Sequence, residues 1–599
     1  MAFQEFSQVS ARRRAERQEK LRKRLTIAAV VIVVLLIIIA AGVFAIVYIS
    51  ERSGSSKSSQ QEVKPKKDKS QRADRIKMIC NPTDYQSVCE SSLKKVLKNN
   101  ASSTNPKDAL RASIVVTLDE VENVLNQTSK FRFENKEEQG AYEDCKLLLQ
   151  DAKEELQDSI STVSDKDVEM LPSKADDLNN WLSAVISYQQ TCIDGFPEGK
   201  SKTKMQKTLG NTKILTSNAL AIVAEVSSIL STLQLSGGNK RRLLQATSTS
   251  TSSSTSTSTS LGEDGLPNWM SHEDRRMLKA RSVNLKPNAV VAKDGSGDFK
   301  TISDALAKIP KKYTGRYVIY VKAGVYDETV IVTKDMVNVT MYGDGSMKSI
   351  VTGSKNFVDG IRTFQTATFA ALGEGFTAMA MGFRNTAGPE KHQAVALRVQ
   401  ADRSVFINCR MEGYQDTLYV QTHRQFYRSC VIAGTIDFIF GDASAILQNC
   451  MIMVRKPLDN QQNTVTAQGR ADKRETTALV IQNSRILPDD KLVPDRTKIK
   501  SYLGRPWKEY SRTIIMESTI SDVIQPDGWL PWDGDFALNT LFYAEYNNRG
   551  PGAKLTARVK WPGFKVIKKD EADKFTVGTF LETNWIQASG APFRQGLYN

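Results

Sequence analysis

Three hydrophobic patterns follow one another along the chain. Residues 26–49, TIAAVVIVVLLIIIAAGVFAIVYI, carry no charge. As a helix they would reach about 36 Å, enough to cross a ~30 Å hydrocarbon core. Basic ARRRAERQEKLRKR precedes this stretch and mild ISERSGSSKSSQ follows it, which predicts a cytosolic tail at 1–25, a signal anchor at 26–49 and a lumenal remainder. A long signal peptide is the rival reading, and the length of the stretch favours the anchor. Both readings export the rest of the chain. Residues 50–75 are polar and Lys-rich and read as a stalk. From 76 to 235 the apolar positions recur at helical spacing, in ALRASIVVTLDEVENVL, EDCKLLLQDAKEELQDSI, LNNWLSAVISYQQTCI and TSNALAIVAEVSSILSTL, which predicts an all-α four-helix bundle.

Residues 236–280 hold the low-complexity run TSTSTSSSTSTSTS and build no core, so they read as a linker. Two dibasic sites flank that run, Arg241-Arg242-Leu243-Leu244 and Arg275-Arg276-Met277-Leu278. In an exported chain these are candidate cuts for a protease of the secretory pathway.

Beyond 281 the period changes to that of short strands, as in RYVIYVKAG, ETVIVT and VNVTMYGDG. An apolar-polar phrase also repeats. It is read at Phe383-Arg384-Asn385, Phe406-Ile407-Asn408-Cys409, Phe426-Tyr427-Arg428-Ser429-Cys430, Leu447-Gln448-Asn449-Cys450 and Ile481-Gln482-Asn483-Ser484, in steps of 23, 21, 20 and 34 residues. A period near 21 without intervening helices predicts an all-β right-handed parallel β-helix over 281–599, with a sandwich as the alternative.

Charge narrows the partners. Lys and Arg number 82 against 66 Asp and Glu, a net +16, which fits nucleic acid, anionic lipid or an acidic polysaccharide. No nucleic-acid-binding motif accompanies it. Export gives the seven cysteines meaning. Four thiols, Cys80, Cys89, Cys145 and Cys192, allow three connectivities, and the short first gap favours Cys80 with Cys89 and Cys145 with Cys192. Cys409, Cys430 and Cys450 are an odd set, so at least one is expected to be a buried free thiol. Asn100, Asn126 and Asn338 sit in glycosylation sequons.

Candidate chemistry rests on carboxylates. Gly413-Tyr414-Gln415-Asp416 and Gly434-Thr435-Ile436-Asp437 lie 21 residues apart, and Gln393 lies 22 before Gln415. Stacked coils place Asp416 and Asp437 about 4.7–4.9 Å apart in the strand-to-strand direction. Neighbouring carboxylates split their pKa values into a nucleophile and an acid, and stacked Gln amides offer donors to an oxyanion. The alternative is a ladder that only satisfies coil turns. The chain has three histidines and no GxSxG elbow, which leaves little for a Ser-His-Asp site. His423 reads as a surface residue and His272 lies in the linker. No His/Cys cluster has metal-ligand spacing, so no cofactor or metal is expected.

These residues carry a family resemblance. Gly324-Val325-Tyr326-Asp327-Glu328, Gln393 to Arg398 (QAVALR), Tyr414 to Leu418 (YQDTL), Gly434 to Gly441 (GTIDFIFG) and Leu503-Gly504-Arg505-Pro506-Trp507 resemble plant pectin methylesterases. Upstream, the four cysteines and TCIDGF resemble the invertase and pectin methylesterase inhibitor fold, which makes 76–235 an inhibitor-like pro-domain. The resemblance implies Asp437 as nucleophile on the C6 methyl ester of polygalacturonan, and Gln393 and Gln415 as oxyanion donors. It implies Asp416 as proton donor and then base, Arg505 as the partner of Asp437, and Trp507 and Thr363 beside the substrate. It further implies a secreted cell-wall enzyme whose pro-domain inhibits or retains it, and a separate inhibitor protein as a partner. Family members often carry a cysteine at Ser484, so Cys450 is expected to lack that disulfide partner. A wall-binding protein that no longer catalyses and a β-helix lyase or polygalacturonase are the alternatives. Both Asp and both Gln are present, against the first, and glycosidic inversion wants carboxylates about 6.5–9.5 Å apart, against a polygalacturonase.

Overall fold

The computed structural model describes residues 74, 76–97, 106–164, 173–235 and 286–598. The tail, the anchor at 26–49, the linker with both dibasic sites, and Asn100 lie outside the described residues. Among the described residues no helix is long and apolar enough to cross a membrane.

Among the described residues the N-terminal domain contains the helices α1 (Gln86–Leu97), α2 (Pro106–Thr128), α3 (Lys136–Ser164), α4 (Ala175–Asp194) and α5 (Lys200–Leu235). The four apolar runs fall within α2 to α5. Each of these helices packs against two others, α2 and α4 both touching α3 and α5, around buried Leu110, Ile114, Leu148, Leu149, Leu182 and Ile222. Helix α1 escaped the periodicity because it buries only the stripe Cys89, Leu93 and Leu97. Disulfides join Cys80 to Cys89 and Cys145 to Cys192, the pairing that the short first gap favours. Asn126 and Asn338 are exposed.

The C-terminal domain is a coil of three parallel sheets with eleven, seven and eight strands. The strands Tyr317–Val321, Val330–Val332 and Val339–Gly343 match the three sampled strand runs. In the eleven-stranded sheet Phe406 pairs with Tyr427, Tyr427 with Leu447, Leu447 with Ile481, and Ile481 with Ile515. Asn408, Ser429, Asn449 and Asn483 then turn the chain at φ between 47° and 56°, a left-handed corner that Asn tolerates well. The phrase therefore marks one corner on four successive coils.

Its first member is misplaced by the sequence reading. Phe406 pairs with Ala378, 28 residues earlier, while Phe383 pairs with Met411 in the eight-stranded sheet. A small-residue strand, Thr377–Met379, holds the true position, and it has no aromatic to reveal it. The three odd cysteines are all free and buried, stacked inside the same corner, where Ser484 Oγ accepts the Cys450 N–H at 2.9 Å. The β-domain is also not free of helix. Short helices Lys569–Ala572, Val577–Phe580 and Asn584–Ser589 bring Val577, Leu581 and Ile586 onto the outer face of the sheet at Phe426, Ile446 and Val480, removing that face from water.

Candidate active site

The strands Leu418–Val420 and Ile439–Gly441 pair Leu418 with Ile439, so Asp416 and Asp437, each two residues before its strand, occupy the same place on successive coils. Both are left-handed, at φ 62° and 50°. Such a backbone costs on the order of 1–3 kcal/mol per non-glycine residue and persists only when its surroundings fix it. Here the Asp416 N–H donates to the Ile436 carbonyl at 3.0 Å. The Asp437 N–H donates to Thr464 Oγ1 at 2.8 Å.

Asp437 is buried and gripped on both oxygens. Arg505 donates from Nε to Oδ1 at 2.8 Å and from Nη2 to Oδ2 at 2.6 Å, a bidentate geometry that fixes the carboxylate plane. Thr464 Oγ1 adds a third bond to Oδ1 at 2.6 Å. Asp416 is 8% exposed. Burial first and the Asp437 charge second push its pKa well above the usual carboxylate range, with Arg505 opposing them. Two adjacent carboxyls are thus set up as a held acceptor and a retained proton.

Both open onto a cavity of about 670 Å³ that Gln393, Gln415, Thr363, Arg505 and Trp507 also line. The backbone at Gln393 rests on the next coil, where the Ala394 N–H donates to the Gln415 carbonyl at 3.2 Å. Trp507 lies over Gly469, where a Cβ would come within 2.8 Å of the indole, and meets Phe440 edge-on at 5.9 Å between centroids. The cleft therefore gathers every residue that the sequence singled out as a catalytic or substrate candidate. Two more escaped it. Thr464 sits in no motif, and Trp532, with the Arg505 guanidinium 4.4 Å from its ring centroid, lies beyond LGRPW in a loop without periodicity.

The helical domain closes this cavity from above with Asp144, Leu148, Thr191 and Asp194. Asp144 accepts from Arg362 Nε at 2.5 Å and from Gln365 Nε2 at 2.7 Å, and Asp194 accepts from Lys508 at 2.7 Å. His423 corrects the surface reading. It is 4% exposed because α3 and α4 cover it, with Glu155 at 3.2 Å from Nε2, Asn180 Nδ2 at 3.0 Å from Nδ1 and the Tyr188 hydroxyl at 3.1 Å from Nε2. A sequence without its second domain in view offers no signal for that burial.

A parallel β-helix thus carries a buried carboxyl pair, one member held by an arginine, in the lining of a cavity that the helical domain also lines. The pectinesterase family profile matches residues 288–584, and that of plant invertase/pectin methylesterase inhibitor matches 74–222. The chain is 50% identical to pectinesterase/pectinesterase inhibitor 45 of Arabidopsis thaliana, over all of both proteins. It is 44% identical to pectinesterase 3 of Citrus sinensis, over 87% of this chain and 88% of that protein. Among solved structures, pectin methylesterase from carrot is 53% identical with a TM-score of 0.52, over 52% of this chain and 99% of the carrot chain. The chain belongs to the pectinesterase family and carries an inhibitor-type domain ahead of the esterase.

Proposed function

We propose that the cleft demethylates homogalacturonan through Asp437 and Asp416. The observation that carries this reading is the asymmetric carboxyl pair, one member forked by Arg505 and the other holding its proton in a buried site. An Asp437 oxygen attacks the C6 carbonyl of a methyl ester, and the carbonyl electrons move onto an oxyanion facing the Gln393 and Gln415 amides. Collapse breaks the C6–methoxy bond, and Asp416 gives its proton to the departing oxygen, so methanol leaves and an acyl-enzyme remains. Asp416, now ionised, takes a proton from water, whose oxygen adds to the acyl carbon; the bond from that carbon to the Asp437 oxygen breaks, which restores the Asp437 carboxylate and leaves Asp416 protonated, and the galacturonic acid formed releases its remaining proton to solvent. Trp507 and Thr363 flank the sugar rings.

The helical domain is read as a four-helix inhibitor bundle over residues 76–235 that occludes this cleft until the linker is cut at an RRxL site. Asp144 and Asp194 stand in the cleft's mouth and support that reading. Residues 26–49 anchor the uncut chain in a secretory membrane, and cleavage frees residues 281–599 to the cell wall. Methanol release from methylated pectin by the cut chain tests the proposal. Absence of methanol from a folded domain rejects it.

A further inference from the structure

Among the described residues every ion pair that joins the two domains has one polarity: the helical domain supplies the acid and the β-helix the base. Asp84 meets Lys473 at 2.9 Å and also Arg474. Asp151 and Glu154 meet Lys334 at 3.0 and 3.2 Å. Asp177 bridges Arg403 and Arg424 at 2.7 and 2.8 Å. Single exposed pairs stabilise little, but a one-signed surface selects the charge of its partner.

Much of this surface lies away from the ester cleft. Arg403 and Arg424 hold the same position on successive coils, because Ser404 pairs with Gln425. The pairs Arg424 with Ser444, Ser444 with Ala478 and Leu479 with Thr513 continue that column to Arg512, four strand steps or roughly 19 Å from Arg403. On the helical side Asp177 and Asp194, the latter at the cleft, stand 17 residues apart on α4, about 25 Å along its axis.

The column opens into a second cavity of about 470 Å³ lined by Arg424, Arg470, Lys473, Arg474, Arg512 and Lys574. Arg512 donates from Nε and Nη2 to the carbonyls of Thr477 and Glu475 at 2.8 Å. Arg470 Nε donates to the Glu475 carbonyl at 2.8 Å. Neither guanidinium makes a salt bridge to a carboxylate among the described residues. Burial and the neighbouring Arg470 push Arg512 down to about 9. The acids on the lining are Asp176, Glu475 and Glu582. Burial and Asp442 raise Glu475 well above its ordinary range, and burial with Asp176 pushes Glu582 up to about 7. Arg424 is also held by Asp402 of its own domain at 2.6 Å, but the lining still sets six bases against three acids, a balance that an anion would offset.

We propose that this cationic column is a second binding track, for de-esterified galacturonan, and that the carboxylates of the helical domain occupy it until a polyanion displaces them. The proposal rests on the pectin-demethylating reading, since the acidic polymer is the product made in the ester cleft. A chain held there presents its freshly exposed carboxylates to the column at high effective concentration. Acidic stretches would then keep the enzyme on the polymer and loosen its own inhibitor domain.

The test is calorimetric titration of fully de-esterified decagalacturonate, which has no ester to cleave, into the full chain. Lys473→Gln/Arg474→Gln/Lys574→Gln weakens binding at least tenfold, whereas Asp437→Ala and Trp507→Ala change it less than twofold. If these cations serve only to hold the helical domain, their removal uncovers the surface and binding stays the same or tightens, which overturns the proposal. Loss of binding in the cleft variants alone, or no binding to the wild type, overturns it as well. Lys473→Glu/Lys574→Glu, at two exposed positions, gives the same readout should the triple variant unfold at a lower temperature. Methanol release measured in parallel separates the two ideas. Intact titration without methanol rejects the esterase reading and leaves the track standing.

Discussion

Replacing Arg505 by Lys and by Met separates its geometry from its charge. Lysine keeps the cation but cannot reproduce the fork, in which Nε and Nη2 hold the two Asp437 oxygens at 2.8 and 2.6 Å. One bond to a charged group is worth roughly 1.5–3 kcal/mol, so Arg505→Lys should lower kcat roughly 10- to 150-fold. KM should change little, because the lost contact is to the enzyme's own carboxylate. Methionine also removes the charge that opposes the upward shift of Asp416. The donor must be protonated, so activity falls as pH rises through the apparent pKa of the pair. Without the cation that alkaline limb should move to higher pH in Arg505→Met and stay in place in Arg505→Lys. The assay is methanol release against pH by the linker-cut chain, with kcat and KM separated. An Arg505→Lys rate within threefold of wild type, or an alkaline limb in Arg505→Met that is unmoved or lower, would refute the reasoning.

Three further outcomes are expected. In linker-cut protein the helical domain should hold more tightly at pH 5 than at pH 8: burial lowers the His423 pKa, but Glu155 and Asp402 outweigh burial and the opposing Lys334, and the net shift is upward. A raised pKa gives stability that is complete below about 6.5 and lost as pH rises through the docked value. Gel filtration across pH reads this, and a His423→Gln variant with an unchanged pH profile would contradict it. Changing Arg241, Arg242, Arg275 and Arg276 to Ala should leave an uncut chain with far lower methanol release than the cut form, and equal specific activity would remove autoinhibition. Replacing Cys145 and Cys192 by Ser opens a link spanning 47 residues. The helical domain should lose about 2–4 kcal/mol, read by denaturant unfolding, and a midpoint shift equivalent to under 1 kcal/mol would show the link to be dispensable.

The coil was legible because its corner recurs as a phrase. Asn408, Asn449 and Asn483 each need a left-handed turn, and large apolar residues precede them at the core. The coil at Thr377–Met379 was not legible, since small side chains serve there and the conspicuous Phe383 belongs to another sheet. The carboxyl pair was readable from its 21-residue spacing, which the strand pairing reproduces. Thr464 was not, because its role depends on a coil enlarged by loops before and after its strand, and loop length hides register. His423 and the cationic column show the same limit at domain scale. Their environment comes from α3 and α4, whose contacts across more than two hundred residues leave no local periodicity.

The most direct measurement is methanol release from methylated pectin by linker-cut chains carrying Asp437→Ala or Asp416→Asn, with folding checked by circular dichroism. A proton donor alone contributes about 10²- to 10⁴-fold, and the nucleophile has no substitute. Asp437→Ala should therefore fall to background, and Asp416→Asn at least 10²-fold. A folded Asp437→Ala domain that still releases methanol at a substantial fraction of the wild-type rate would contradict the carboxylate mechanism.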